Sequence, residues 1–345
     1  MRINRTSGLR SVAAAAALVA LLAACGQSGS SGTGGSTSAA SGAASDDGSA
    51  PPTCEPVPGD QLVVLDDDKH LQTVDNIVPA VNAAAAEGDD ALLSLLSSVS
   101  EALDTDKLIA LNKAVDVDRK TSADVATQFV EDEGLAAKDA PGKGKSVVVG
   151  AGNFSESSTL AAIYADVLKS AGYTTKVQTI GNRETYYPAL TAGDLTVVPE
   201  YVGTLTEFIN KKENGADAKP MASADLDATM DALTSLGEKV GLAFGTPSPA
   251  QDQNAFAVTT GFAEANDLTT LSDLAATCGG VVLGGPPECA ERSFCQPGLE
   301  ETYGLDVASF QSLDAGGPLT KKALQQGKAT VGLVFSSDGQ LTTGG

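Results

Sequence analysis

The stretch VVVGAGNFSESSTLAAIYADVLKSAGY, residues 147–173, decides the fold class. It opens with an apolar, β-branched run, which predicts a buried strand. Ser155 can cap the helix that follows, and Gly172 can end it. A buried strand followed directly by an amphipathic helix is the unit from which parallel α/β sheets are built. The apolar residues at the spacing of one helix face are Leu160, Ile163, Tyr164, Val167 and Leu168.

The same alternation of strand and helix continues towards the C-terminus and then restarts after a polar loop at 211–223. Such a restart predicts two lobes, each an α/β sheet. The later predicted strands lie at 176–180, 195–199, 254–259, 281–283 and 330–335, and the predicted helices at 184–192, 224–239, 270–276 and 318–326.

Residues 60–139, which precede this pattern, are predicted to contain one strand and then helices. The strand is QLVVL at 61–65. The helices are NIVPAVNAAAAEG at 76–88, ALLSLLSSVSEAL at 91–103 and SADVATQFVEDEGL at 122–135. The turn-rich segment APGKGK then leads into the strand of the opening stretch.

Charge and histidine content exclude several classes of function. The 345 residues carry a formal net charge of −22, and such a surface repels the phosphates of nucleic acid. The chain has a single histidine, His70, and no CxxC motif. It therefore lacks both a Ser-His-Asp or Cys-His constellation for hydrolysis and the usual ligand set for zinc. We expect no enzyme activity, no cofactor, no metal site and no nucleic-acid partner.

The N-terminal residues predict an export signal with a lipid anchor. Three arginines precede the apolar run AAAAALVALLAA, residues 13–24, which is too short to span a membrane comfortably. The small residues before Cys25 resemble the lipobox of bacterial lipoproteins. This resemblance implies removal of residues 1–24, lipidation of Cys25 and a flexible Gly/Ser linker over 25–52. An ordinary signal peptide with a chance cysteine is the alternative.

Four further cysteines, Cys54, Cys278, Cys289 and Cys295, suggest two disulfides in an exported chain. Four cysteines allow three pairings. Cys289 and Cys295 are close in sequence and easy to join, and a Cys54–Cys278 pair would follow from that choice.

Several segments resemble one family of proteins. These segments are GNRETYYPALTAGDLTVVPEYVGTLTEFI, TPSPAQDQNAFAV, LGGPPECAERSFCQPGLEETYGL, LDAGGPLTKKAL and VGLVFSSDG, together with the opening stretch. They are similar to the substrate-binding proteins of ABC transporters for glycine betaine and related quaternary amines. The resemblance implies a two-lobed, periplasmic-binding-protein-like α/β fold of type II. It also implies a monomer that carries a small solute to an ABC permease and its ATPase.

The order of the segments departs from that family. Pieces like those at 61–135 normally follow VFSSDG, whereas here they precede the strand that normally begins the domain. We therefore expect one circularly permuted domain at 53–345, with lobe 1 at about 60–250 and lobe 2 at about 251–340. The alternative is an unrelated helical domain at 53–139.

The chemistry of a quaternary amine predicts what its site contains. Such a cation has no N–H to donate, so aromatic faces hold it by cation–π attraction, while a carboxylate on the same ligand calls for an arginine fork, a hydroxyl or backbone N–H groups. Tyr201 is the leading candidate, because it follows a strand end and the family places an aromatic residue of its site in this motif. The candidate ligand-binding residues are Tyr201, Tyr187, Arg183, Glu184, Asn153, Phe154, Thr204, Gln251, Asp252, Asn254, Arg292, Asp314, Phe335 and Asp75.

Several candidates in the first lobe have structural alternatives. Tyr186 and Tyr187 lie on different faces of one predicted helix, and we expect Tyr187 to reach the ligand while Tyr186 packs. Arg183 and Glu184 can instead form a surface pair at the start of that helix. Tyr201 itself can be a core residue.

The later candidates have alternatives of the same kind. Gln251, Asp252 and Asn254 lie near the predicted crossover between lobes, where hinge hydrogen bonds would explain them. Arg292 matches a basic position of the family and can clamp a carboxylate, or it can be an ordinary surface arginine. Capping of a helix is enough to explain Asp314.

One position departs from the family in its chemistry. Many betaine and choline binders carry a tyrosine before the asparagine in a segment like YNLVPV, whereas this chain has Asp75 before Asn76 in VDNIVPAV. A carboxylate in place of a ring opens the site to an amine with N–H donors.

The sequence therefore predicts a lipid-anchored solute receptor on the extracytoplasmic face of the cell membrane. It would bind glycine betaine, carnitine, proline betaine or choline between its lobes. The alternative is a ligand sensor or adhesion lipoprotein with the same fold that binds another amine or an amino-acid-like solute.

Overall fold

Residues 51–343 are described by the structure, a computed structural model. The strands are β1 (Leu62–Leu65), β2 (Ile77–Asn82), β3 (Ser146–Ala151), β4 (Thr174–Thr179), β5 (Val197–Tyr201), β6 (Leu242–Phe244), β7 (Asn254–Thr259), β8 (Val281–Gly285), β9 (Val307–Ser312), β10 (Val331–Phe335) and β11 (Thr342–Thr343). The α-helices are α1 (Ala83–Ala86), α2 (Asp90–Ala102), α3 (Thr105–Asp116), α4 (Ser122–Asp132), α5 (Ser155–Ser170), α6 (Arg183–Ala192), α7 (Val202–Asn214), α8 (Leu226–Val240), α9 (Thr260–Ala265), α10 (Leu271–Thr277), α11 (Gln296–Gly298) and α12 (Pro318–Gln325).

The strands of residues 51–343 form two sheets, one in each lobe. Lobe 1 contains the order β4-β3-β5-β2-β6, and lobe 2 the order β11-β1-β7-β10-β8-β9. In each sheet three neighbouring strands are parallel, and the next strand is antiparallel to them. The antiparallel strand is β2 in lobe 1 and β7 in lobe 2. In both cases the preceding strand along the chain, β1 or β6, lies in the other lobe. Two separate α/β sheets, between which the chain crosses before β2 and before β7, confirm the predicted two-lobed α/β fold of type II.

Alternating side chains of β3 explain why both faces of the lobe 1 sheet are covered. Val147 and Val149 belong to the apolar core shared with α2, α3, α4 and α5, whereas Val148 packs against the core of α6, α7 and α8. Because successive side chains of a strand point to opposite faces, an unbroken apolar run needs helices on both sides. The run of valines in the opening stretch therefore predicted a central strand correctly.

Two segments cross between the lobes and pair with each other. Residues 66–76 link β1 to β2, and residues 245–253 link β6 to β7. The N–H of Asp252 donates to the carbonyl oxygen of Asp75 (3.1 Å), next to an antiparallel bridge between the same segments. We call this pair of segments the hinge ribbon, because the two sheets are joined through it.

For residues 60–139 the structure excludes one alternative and corrects one expected boundary. They do not form a separate helical domain: β1 pairs with β7 in lobe 2, and β2 pairs with β5 and β6 in lobe 1. The expected lobe 1 boundary at residue 60 is therefore corrected as well, since β1 belongs to lobe 2.

A second correction concerns the segment 76–88, which was predicted to be a helix. Its first part is the strand β2, and only Ala83–Ala86 is helical. All six residues of β2 are buried between neighbouring strands, so tertiary pairing outweighs the helix propensity of the alanines. Pro79 lies opposite Pro199 in the β2–β5 pair.

Both disulfides that the sequence suggested are present. Cys54 is joined to Cys278, and Cys289 is joined to Cys295. The first attaches the start of the described chain to the C-terminal cap of α10, and the second closes a short loop in lobe 2.

The predicted signal peptide, the lipidated Cys25 and the linker over 25–52 lie almost entirely outside the described residues. Across residues 51–343, the structure has no helix with the length and apolar character needed to cross a bilayer.

Candidate functional site

A pocket of about 540 Å³ lies between the lobes, beside the hinge ribbon. Asn153 and Phe154 follow β3, Tyr201 ends β5, Pro286 follows β8 and Phe335 ends β10. These are the C-terminal ends of parallel strands in both sheets, where ligands of open α/β sheets bind. Among the described residues no cluster of His, Cys, Asp or Glu is arranged to hold a metal ion. The chemistry of the pocket therefore comes from rings, hydrogen bonds and charges.

Aromatic side chains from both lobes form much of the pocket wall. Phe154 lies between Tyr201 of its own lobe and Phe335 of the other, with ring centroids 6.4 and 5.7 Å away. Rings at these distances pack in tilted arrangements and leave faces for a guest. The aromatic residues that line the pocket within the described part of the chain are Phe154, Tyr186, Tyr201, Phe208, Phe294 and Phe335.

Tyr201 is fixed in the wall by a buried hydrogen-bond network. Its hydroxyl donates to Oε1 of Glu156 (2.6 Å), while Oε2 of that carboxyl accepts from Asn112 (2.6 Å) and the Ser337 hydroxyl (2.7 Å). Burial, followed by the charge of Glu156, raises the pKa of Tyr201 well above its ordinary value. The side chain is thus a neutral phenol held in one orientation.

Arg183 and Glu200 form a buried ion pair behind the wall. Glu200 is 0% exposed and accepts from Nε (3.0 Å) and Nη2 (2.7 Å) of Arg183 and from the Tyr186 hydroxyl (2.7 Å). Burial alone would lower the pKa of Arg183, but the Glu200 carboxylate outweighs it and raises that pKa. Arg183 also donates to Oγ1 of Thr204 (2.9 Å) and does not form the surface pair with Glu184 considered from the sequence.

A second ion pair spans the cleft. Arg292 of lobe 2 donates from Nε to Oε1 of Glu184 (3.1 Å) and from Nη2 to Oε2 (2.9 Å), at the N-terminus of α6 in lobe 1. Burial opposes the charged form of Glu184, but the hydrogen bonds from Arg292 lower its pKa. Arg292 lies in the loop closed by the Cys289–Cys295 disulfide. The pair therefore links the lobes at the rim of the pocket.

Two aspartates of the hinge ribbon line the pocket. Oδ1 of Asp75 accepts the backbone N–H groups of Gly203 (2.9 Å) and Thr204 (3.0 Å) in the first turn of α7. Oδ1 of Asp252 accepts the backbone N–H of Ser337 (3.1 Å). Asp252 also interacts with the Ser337 side chain, whereas no residue of 51–343 donates a hydrogen bond to Oδ2 of Asp75; the two side chains are only 4% and 5% exposed.

The environment of these aspartates disfavours their ionised forms. Burial raises the pKa of Asp75 to about 7, against the opposing effects of the Thr204 N–H and the Arg183 charge. Burial, and then the charge of Glu156, raises the pKa of Asp252 well above its ordinary value. Both effects come from removing a carboxylate from water without giving it a cation.

Most of the predicted site residues come together at this pocket. The residues on that list that line it are Tyr201, Arg183, Glu184, Asn153, Phe154, Thr204, Asp252, Asn254, Arg292, Phe335 and Asp75. Arg183 and Arg292 differ from the prediction in one respect, because their guanidinium groups already pair with carboxylates of the protein.

Three predicted residues are placed elsewhere. Tyr187 packs edge-on against Phe208 (centroids 5.0 Å apart) in the core between α6 and α7, so Tyr186 and not Tyr187 lines the pocket. Gln251 forms the hinge bridge with Asn76, which is the structural role considered for it. Asp314 caps the first turn of α12 through both carboxylate oxygens.

Three aromatic residues of the wall were not predicted. Phe208 lies four residues after Thr204 on α7, which is the spacing of one helix face, so periodicity along α7 contained a signal for it. Tyr186 was assigned to packing because the sequence does not fix which face of α6 turns inward. Phe294 is positioned by its carbonyl oxygen, which accepts from the side chains of Gln72 (3.1 Å) and Asn254 (2.9 Å), and no sequence pattern indicated this.

Comparison with known proteins agrees with this geometry. Residues 57–132 and 145–343 match the OpuAC family, described as the substrate binding domain of ABC-type glycine betaine transport systems. The chain is 32% identical over 216 residues to the glycine betaine-binding protein YehZ of Escherichia coli K12, covering 59% of this chain and 69% of that protein.

Solved structures align with a little more than half of the chain. A structure titled glycine betaine/carnitine/choline ABC transporter aligns with 56% of this chain and 70% of its own, at 23% identity and a TM-score of 0.36. NikA from Brucella suis in complex with Fe(III)-EDTA aligns with 54% of this chain and 46% of its own, at 15% identity and a TM-score of 0.28. On the family match over both segments, this chain belongs to the substrate-binding proteins of ABC-type glycine betaine transport systems.

Proposed function

We propose that this protein captures a quaternary-amine compatible solute, such as glycine betaine, carnitine, proline betaine or choline, between its two lobes. The observation that carries the proposal is the ring-walled pocket beside two hinge aspartates that form no ion pair within the described residues. A pocket of about 540 Å³ is large enough for a small solute.

The wall suits a cation that cannot donate a hydrogen bond. Each aromatic face contributes on the order of 0.5–2 kcal/mol to holding a quaternary ammonium group. Phe154, Tyr201 and Phe335 bring faces from both lobes to one place, so the bound cation would draw the lobes together. Closure around the solute is then a hinge motion about the ribbon.

A carboxylate on the solute needs another partner, because Arg183 and Arg292 are engaged by Glu200 and Glu184. We expect the N-terminus of α5 to supply one. Phe154, which lines the pocket, precedes that helix, and the first-turn N–H groups receive no side-chain cap from it.

The proposal includes delivery. The closed form docks on an ABC permease, whose ATPase supplies the energy, and lipid on Cys25 holds the receptor at the outer face of the membrane. Transport by this route needs no catalysis by the receptor itself.

We also propose that residues 53–345 are one circularly permuted domain. Support comes from the family match, which falls in two segments separated at 133–144, and from β1 and β2, which join different sheets. Moving residues 53–139 behind the present C-terminus through a short linker should leave solute affinity within about threefold. Loss of folding in that rearranged chain would count against the permutation.

Isothermal titration of the purified protein with betaines, choline and carnitine tests the capture of a solute. Phe154→Leu removes a central ring of the wall, and we expect the affinity for the preferred solute to fall by about 2- to 30-fold. Phe262→Leu removes a ring from the buried core of lobe 2 and is the matched control. Binding by none of these solutes, or equal affinities for Phe154→Leu and the native protein, would contradict the proposal.

A further inference from the structure

We propose that the pocket takes up its cationic solute in exchange for a proton held by the hinge aspartates Asp75 and Asp252. This inference rests on the proposed function and adds a linkage between solute binding and pH. Three features of the site support it: the position of both acids on the hinge ribbon, the charges that face them and the direction in which a proton would move.

The two carboxyl groups come from opposite segments of the ribbon. The backbone N–H of Asp252 donates to the carbonyl oxygen of Asp75, which makes the two residues neighbours across the pair of segments. Both line the pocket, and the hydrogen bonds of Asp75 within residues 51–343 fall on Oδ1, while Asp252 meets the N–H and the side chain of Ser337. Two nearly buried carboxyl groups therefore lie side by side at the pocket, and Asp75 keeps one oxygen for a guest.

The charges that face Asp75 do not neutralise it. On α6, Arg183 donates to both carboxylate oxygens of Glu200 on β5, so this cation is already paired, although its charge still lowers the pKa of Asp75 in part. On α7, Asp75 meets the backbone N–H groups of Gly203 and Thr204 and no cationic side chain. Across the ribbon it meets Asp252, which is a second acid.

The charges that face Asp252 are also acidic. From α5 it meets Glu156, which takes its hydrogen bonds from Tyr201, Asn112 and Ser337, all neutral groups. From the segment after β10 it meets the N–H of Ser337.

The remaining cations near the pocket are engaged or distant. Lys321 pairs with Asp338 at the other side of that segment. Lys211 and Lys212 also line the pocket, but Lys211 lies seven residues beyond Thr204 on α7, about 10 Å along the helix at 1.5 Å per residue. The carboxyl groups of the ribbon thus lack a cationic partner among residues 51–343.

A buried group of acids without a cation retains protons. Burial raises the pKa of both aspartates, and that of Asp75 reaches about 7. A quaternary ammonium or protonated amine placed against these two carboxyl groups supplies the missing charge and lowers their pKa values again. Near neutral pH the empty site therefore holds a proton that passes to the solvent when the solute enters, and no bond other than O–H is broken.

Isothermal titration with choline, a cation that carries no carboxylate, measures this exchange. The titration is done in phosphate and in Tris, because protons released by the protein are taken up by the buffer and the enthalpy of buffer protonation adds to the observed heat. At pH 6.5 we expect the heat to depend on the buffer with a slope of about one proton released. The association constant should rise by up to about tenfold per pH unit below pH 7 and level off above pH 8.

One variant and its control test whether Asp75 holds the released proton. Asp75→Asn keeps an oxygen for the N–H groups of α7 and removes the carboxyl, so we expect less proton release and a flatter pH profile. Asp314→Asn makes the same chemical change at the cap of α12, outside the pocket, and should leave both quantities unchanged.

The possible results separate the two proposals. Choline binding with the same heat in both buffers and a flat pH profile would overturn the proton exchange alone. Absence of binding by choline and by glycine betaine would overturn the proposed function and the exchange with it. Full proton release in both Asp75→Asn and Asp252→Asn would show that other groups release the proton, which also overturns the assignment.

Discussion

Replacing Asp75 by asparagine should change how the stability of the empty protein depends on pH. The side chain is 5% exposed, and burial raises its pKa from the ordinary 3.8 to about 7. Because the folded protein binds this proton more tightly than the unfolded chain does, the stability that Asp75 contributes is full below about pH 4. It is lost as the pH rises towards the folded-state pKa near 7.

The size of the effect follows from the difference between the pKa of Asp75 in the unfolded chain and in the folded protein. At about 1.4 kcal/mol per pH unit, the difference between 3.8 and about 7 corresponds to roughly 4 kcal/mol as an upper limit. The asparagine of the variant cannot ionise, and its amide oxygen can still accept the N–H groups of Gly203 and Thr204. The variant should therefore gain up to about 4 kcal/mol over the native protein between pH 4 and pH 8.

Urea unfolding of both proteins at several pH values from 4 to 8 measures this difference. Asp104→Asn is the control, because Asp104 is an exposed helix cap that accepts the N–H of Lys107 (2.8 Å). The reasoning would be refuted if the difference in free energy of unfolding between the Asp75 variant and the native protein stayed constant within about 0.5 kcal/mol over this range. Such a result would mean that Asp75 does not titrate between pH 4 and pH 8 in the folded protein.

Three further substitutions test the packing around the site. Glu200→Gln leaves the buried Arg183 without its carboxylate and should lower the free energy of unfolding by about 3–5 kcal/mol in urea melts; a loss under about 1 kcal/mol would contradict the ion pair. Gly203→Ala places a Cβ against the carbonyl oxygen of Val74, so the melting temperature should fall, and an unchanged value would mean that α7 can move away from the hinge ribbon. Tyr164→Phe removes a buried hydroxyl that has no hydrogen-bond partner among the described residues and should stabilise by about 1 kcal/mol or more, whereas a loss of stability would reveal a partner.

Local pattern predicted most of the fold. The valines of β3 predict a strand, because a strand buried on both faces needs an unbroken apolar run. The apolar residues of α5 predict a helix, because a helix buried on one face repeats them every three or four residues. Strand β2 was not predicted in this way, because its sequence IVPAVN runs directly into the alanines of α1 and its conformation depends on pairing with β5 and β6 on either side. The sequence also did not predict that β1 belongs to lobe 2, because the residues of a four-residue strand do not specify the strand with which it pairs.

The candidate site also contains residues that the sequence could predict and residues that depend on tertiary packing. Residues at strand ends, such as Tyr201 and Phe335, could be predicted because topology brings the ends of parallel strands together. The pairing of Arg183 with Glu200, 17 residues away, could not, since it depends on how α6 lies against β5. The choice between Tyr186 and Tyr187 likewise depended on the rotation of one helix.

The Cys54–Cys278 disulfide has a mechanical consequence. It spans 224 residues of sequence and, with the Cys54 N–H donating to Gly280 (2.8 Å), fastens the first described residues to lobe 2. Tension on any residue before Cys54 is therefore shared between α10, through the disulfide, and β1, and both belong to lobe 2. Under the proposed function, an anchor on the N-terminal side would load lobe 2 and would leave lobe 1 free to close on the solute.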